Sequence, residues 1–159
     1  MRLAVICALG GVLMLAGCRS PARTDYTPEV ARFFLESADG RTELLTLPQS
    51  GVKVAVMPKP VITEFDVVNV ELARVELGSC LMFQLTPAAA RDLGRLTGAN
   101  LGRRLVLVLN GAPLGARRIE QPLDQGTLLI FAEMTDASLP QLVKELKKTC
   151  AGLRPVTGK

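Results

Sequence analysis

The 159-residue chain has no histidine and no tryptophan, a single tyrosine, and only 4% aromatic residues. Without histidine, the commonest general base at neutral pH is missing, together with the usual histidine-containing zinc sites. Ser37, Ser50, Ser79 and Ser138 have no imidazole to activate them, and Lys53 and Lys59 stand at no spacing that recommends a Ser–Lys dyad. Charge of one sign is also scarce: 19 cations face 15 anions, a formal net charge of +4, too mild for a dedicated nucleic-acid binder. Beyond the N-terminus no apolar run approaches the ~20 residues of a membrane-spanning helix. Thr63-Glu64-Phe65-Asp66 offers two carboxylates but reads more simply as the cap of a single turn. Gly94, Gly98 and Gly102 fall four apart, which suits close packing or helix termination rather than a phosphate loop. The expectation is a non-enzyme with no catalytic residue, no metal site and no cofactor.

What is present begins at the N-terminus. Arg2 is followed by an apolar run from Leu3 to Leu15, broken only by Gly10 and Gly11, and this pattern reads as a secretory signal. The run ends in Leu15-Ala16-Gly17-Cys18, which resembles a bacterial lipobox. The resemblance implies cleavage before Cys18 and lipidation of its thiol; the plainer alternative is an ordinary signal with a chance cysteine. A diacylglycerol on Cys18 supplies the two chains that stable anchoring needs. Arg19 stands where Asp is the usual inner-membrane retention signal in enteric bacteria, which implies the outer membrane, with the protein facing the periplasm. The expected division is a lipoprotein signal peptide over 1–17, a lipid-anchored tether over 18–30, one domain over 31–151 and a tail over 152–159.

Within the domain, Arg32–Glu36 is a short strand candidate, with a turn at Asp39-Gly40. Val52, Val54 and Val56 alternate with Lys53 and Ala55 as a half-buried strand that Pro58 and Pro60 are expected to end. Val67–Leu77 alternates with a slip of phase, which predicts a bulge or bend near Leu72-Ala73. Leu81, Phe83 and Leu85 form one face of a strand. Thr86-Pro87 then supplies an N-cap and a first-turn proline, and Ala89, Ala90, Leu93, Leu96 and Thr97 recur at helical spacing up to Gly98. Asn110-Gly111 between Arg104–Leu109 and Leu114–Ile119 is a hairpin signal. Thr127–Ala132 is another strand, and Asp136 or Ser138 caps a helix whose apolar face is Leu139, Leu142, Val143 and Leu146. This order predicts an α+β fold, a single antiparallel or mixed sheet with two main helices packed on one face.

The run Phe83-Gln84-Leu85-Thr86-Pro87-Ala88-Ala89-Ala90, followed by Leu96-Thr97 and by Asn100-Leu101-Gly102-Arg103-Arg104 through Asn110-Gly111, resembles the periplasmic head of SecD and SecDF protein-export proteins. Gln121-Pro122-Leu123 is similar to the Glu-Pro-Ile that follows the hairpin in that family, and the likeness covers about residues 64–149. It implies the head fold and a role near protein export. Two departures qualify the function. The chain lacks the family's membrane helices and the intramembrane carboxylate that couples proton flow, so it is not expected to be a proton-driven motor. Where the family has small residues ending in Ala-Pro, Gly115-Ala116 is followed by Arg117-Arg118.

Arg103, Arg104, Arg117 and Arg118 are the candidate partner-binding residues. A two-residue turn pairs Arg104 with Arg117 and Arg103 with Arg118, and a four-residue loop shifts that register by two. Either a basic patch faces anionic lipid headgroups or an acidic protein surface, or the arginines pair with Glu120, Asp124 or Glu133 at a solvated strand end. Cys80 and Cys150 remain after Cys7 leaves with the signal and Cys18 is lipidated; they form a disulfide or stay half-buried thiols. Cys80 alternates opposite to Leu81, Phe83 and Leu85, which works against the bond. The expected partners are the membrane, through Cys18, and a protein or peptide, with the translocase one candidate; nucleic acid is not expected. The expected function is a non-catalytic module that binds an exported polypeptide or envelope protein. The alternatives are a structural spacer without ligand and an envelope hydrolase.

Overall fold

A computed structural model describes residues 27–40 and 42–153. The signal segment and Cys18 lie outside the described residues, as do the tether up to residue 26 and the tail from residue 154.

Period-two alternation builds most of the domain. β1 (Ala31–Glu36) turns Ala31, Phe33 and Leu35 inward. β2 (Glu43–Thr46) and β3 (Lys53–Ile62) follow, then a single 3₁₀ turn at Glu64–Asp66. That turn is closed by the Asp66 carboxylate, which accepts from the Thr63 N–H and hydroxyl, both at 2.8 Å. β4 (Val67–Val75) and β5 (Gly78–Leu85) form a hairpin. α1 (Pro87–Gly98) starts at Thr86, whose hydroxyl accepts from Ala89 N–H, with Pro87 in the first turn. β6 (Arg104–Leu109) and β7 (Ala112–Arg118) meet at Asn110-Gly111, both at positive φ (48° and 85°) as a tight hairpin turn requires. β8 (Thr127–Ile130) and a 3₁₀ turn at Asp136–Ser138 lead into α2 (Leu139–Leu153).

The α+β class with two helices on one face is as the sequence indicates. The strands, expected in one sheet, pair as two: a five-stranded sheet in the order β2-β3-β1-β6-β7 and a three-stranded sheet β4-β5-β8, with every pairing antiparallel. The reason lies where β7 and β8 meet. Glu133 N–H donates to Leu114 O at 2.6 Å, but toward Arg117 the strands are linked through a side chain, Arg117 Nη1 to Leu129 O at 2.9 Å, rather than a ladder. One core nonetheless serves both sheets: Phe33 of β1 and Phe83 of β5 pack edge to face at 5.0 Å, among Leu105, Leu107, Leu93 and the inner face of α2. β6 also buries its other face, with Val106 and Val108 packed against Val54, Val56 and Leu47.

Two expectations about strand ends need correction. β3 runs through Pro58 and Pro60 instead of stopping before them. β2 covers β3 only from Lys53 to Val56, so the prolines fall where the outer side of β3 has no ladder partner among the described residues. Register shifts against β1 around Phe34 absorb the missing N–H of Pro60. The irregularity of β4 lies between Val67 and Asn69, not at Leu72-Ala73, where pairing with Leu81 and Cys80 is regular. The apolar phase slips there because the far end of the hairpin leaves the core: Val75 and Leu77 are exposed.

Candidate functional site

The four arginines lie at the open end of the β6–β7 hairpin, in a register other than the one expected. A one-residue shift between Leu107 and Val108 in the β6–β7 ladder places Arg104 opposite Arg118 and Leu105 opposite Arg117, so neither expected pair forms. Each side chain then meets a different neighbour. Arg103 donates to Asn100 Oδ1 at 2.6 Å. Arg104 lies 3.7 Å from the Glu36 carboxylate, which also accepts the Arg104 backbone N–H at 2.8 Å. This carboxylate is none of the three acids expected to serve. Arg117 spans the gap to the Leu129 carbonyl, and Arg118 is exposed beside Gly102.

Arg118, still the cross-strand neighbour of Arg104, lines together with Arg117 a groove of about 360 Å³ between β7 and β8. Its apolar lining includes Ala116, Leu129, Phe131 and Leu77, the last 85% exposed at the tip of the β4–β5 hairpin. Leu77 and Phe131 were not among the candidate residues from sequence. The off-phase position of Leu77 was the available signal, since an apolar residue beyond the slip no longer faces the core.

Gln121-Pro122-Leu123 has a structural role. Thr97 is fully buried on α1; its hydroxyl donates to Leu93 O at 2.7 Å and accepts Leu123 N–H at 2.9 Å, fixing the segment against the helix. Gly94 lets the same segment approach, since a Cβ there would stand 3.0 Å from the Cβ of Asp124. Cys80 and Cys150 are both buried and are not bonded to each other. Cys150 lies in the main core and Cys80 outside it, as their opposite phases dictate. Burial pushes the Cys80 thiol above its ordinary value, against the pull of the Arg117 charge.

The chain enters the domain beside the β6–β7 turn. Val30 and Asn110 exchange bonds, Asn110 N–H to Val30 O at 2.9 Å and Val30 N–H to Asn110 Oδ1 at 2.8 Å, while Glu29 N–H donates to Thr149 Oγ1 at 3.0 Å. The N-terminal segment is thus pinned at the β6–β7 turn, and strand rise puts Arg104 and the open end of the hairpin about 20 Å away.

No known protein family matches the sequence, and no curated protein does. Solved structures do. In fold, this chain is similar to SecDF. Over 77% of its length it matches the structure of a membrane component SecDF that enhances protein export, at 17% identity and a TM-score of 0.57. The match covers 62% of that chain. SecDF in its super-membrane-facing form matches equally well over 18% of its length. The translocon-associated SecDF of Thermus matches at 19% identity and a TM-score of 0.52, over 78% of this chain and 20% of that one. The matched region spans less than two thirds of each of these SecDF chains, and the likeness to the SecDF periplasmic head stands at the level of fold. Among the described residues no helix is long and apolar enough to cross a membrane, and no group of three or more acidic, cysteine or histidine side chains is placed to hold a metal ion.

Proposed function

We propose that this protein is a non-catalytic envelope module, anchored by lipid on Cys18, that binds an exported polypeptide or an envelope protein. The observation that carries the reading is the fold shared with SecDF over three quarters of the chain. Three features support it. The serines lack a base, Arg117 and Arg118 are presented beside exposed apolar side chains, and the site lies at the end of the hairpin away from the pinned N-terminal segment. The lipobox-like sequence and Arg19 favour the outer membrane's periplasmic leaflet over the inner membrane.

In-cell crosslinking of the full chain, followed by identification of the captured partners, tests the reading. Recovery of translocase subunits or polypeptides in transit supports an accessory role in export. Recovery of outer-membrane or cell-wall proteins keeps the binding reading and removes export from it. An absence of specific partners favours the structural spacer. Acyl labelling that disappears in Cys18→Ala tests the anchor separately.

A further inference from the structure

We propose that the groove between β7 and β8 takes an extended polypeptide segment in which aliphatic side chains alternate with carboxylates. The inference deepens the function proposed above and rests on it. The two strands face each other as unpaired sheet edges over part of their length. They touch at one end, through Glu133 N–H and Leu114 O, and run close at Gly115, where a Cβ would stand 3.2 Å from the Phe131 carbonyl carbon. From there, among the described residues, the Arg117 guanidinium on Leu129 O joins them. Exposed edges of this kind accept an added strand through backbone hydrogen bonds, with alternate side chains supplying specificity.

The lining selects the occupant. At about 360 Å³ the groove lies at the small end of ligand pockets, which suits a few side chains of an extended segment rather than a folded surface. Leu77 and Phe131, 85% and 41% exposed, offer apolar contact to one set of alternating side chains. Among the described residues, Arg117 and Arg118 meet no carboxylate: Arg117 is bonded to a neutral carbonyl, and Arg118 is exposed. Among the described residues of the lining, Glu120 is acidic against Arg117 and Arg118, so they give the groove net positive charge. A carboxylate on the segment pairs with Arg118 and replaces Leu129 O as the acceptor for Arg117. Anionic lipid headgroups fit less well, because they offer charge for the arginines but no aliphatic side chains for Leu77 and Phe131 beside them.

The test uses the full chain in detergent micelles and fluorescence anisotropy. The probes are a labelled peptide alternating leucine with aspartate, the same peptide with lysine for aspartate, and, separately, vesicles containing phosphatidylglycerol. The acidic peptide is expected to bind, the basic one not to bind, and Arg118→Glu to weaken binding about tenfold. Leu77→Ser weakens it as well, while Lys144→Glu, the same charge change on the exposed side of α2, leaves it unaltered. Acidic-peptide binding that ignores Arg118→Glu and Leu77→Ser overturns the groove and leaves polypeptide binding standing. Equal binding of the basic peptide overturns the charge argument, and vesicle binding lost in Arg118→Glu assigns the arginines to lipid instead. Failure of every peptide, with crosslinked partners still recovered in cells, overturns the groove alone; failure of both removes the function proposed above as well.

Discussion

Ser50 donates both its backbone N–H and its hydroxyl to the Glu133 carboxylate, at 2.9 and 2.6 Å, and Gln49 N–H adds a third bond at 2.8 Å. The β2–β3 turn is thereby tied to the segment after β8, and the same Glu133 bonds through its backbone to β7. Burial alone would raise the Glu133 pKa, but the three donors outweigh it and hold the carboxyl below its ordinary value. Glu64 is lowered too, chiefly by the bidentate hydrogen bond from Arg32 that joins β1 to the 3₁₀ turn. A carboxyl whose folded pKa lies below its unfolded value contributes stability above the unfolded pKa, about 4.3, and loses it as pH falls through the folded value. Urea midpoints should therefore be flat near neutrality and fall below about pH 4. Glu133→Ala should cost about 1 kcal/mol at pH 7, the solvent exposure of the site keeping the figure small, and should flatten the acid limb. An unchanged acid limb in the variant would place the titrating group elsewhere.

Thr97→Val removes one buried donor and leaves Leu123 N–H without its acceptor, at nearly constant volume. The expected loss is about 2 kcal/mol in urea unfolding, because a stranded buried N–H forfeits its full desolvation cost. Thr97→Ser keeps the hydroxyl and should recover most of it. Equal losses in the two variants would point to packing of the methyl group instead.

Helices and hairpins were legible because their signals are local. Thr86-Pro87, Asn110-Gly111 and the apolar face from Leu139 to Leu146 each specify geometry within a few residues. What the sequence did not disclose depends on distant partners. β2 is four residues long and mostly exposed, so it carries no alternation to read. Pro58 and Pro60 looked like strand breakers because nothing local says that β2 stops at Val56 pairing and leaves that side open. The arginine pairs failed on a single register shift near Leu114, which no turn rule encodes. The contact of Arg117 with Leu129 O depends on how β8 approaches β7.

Cys80 and Cys150 should be inert in the folded protein. Both are buried, and desolvation keeps the Cys80 thiol protonated at neutral pH despite the Arg117 charge. Iodoacetamide applied to the native protein, followed by peptide mass spectrometry, should label neither; in guanidinium both should be labelled without prior reduction. A requirement for reductant would mean that the two are oxidised to a disulfide, which needs β5 and α2 to leave their present packing.

Gly115 is the residue on which the approach of the two sheets depends. A Cβ there would run into the Phe131 carbonyl oxygen and stand 3.4 Å from Ala132 Cα, and both contacts are backbone that cannot swing aside as a side chain would. Gly115→Ala should therefore push β8 away from β7 and strain the Glu133–Leu114 bond, at a cost of about 1–3 kcal/mol. The effect should be local at first. Amide hydrogen exchange should accelerate at Glu133 and its neighbours, while Leu107 and Val108, buried within the β1–β6–β7 ladder, keep their protection. If exchange in the variant is unchanged around Glu133, the strands do not approach as closely as the structure places them, and the groove bounded by Arg117 loses its closed end.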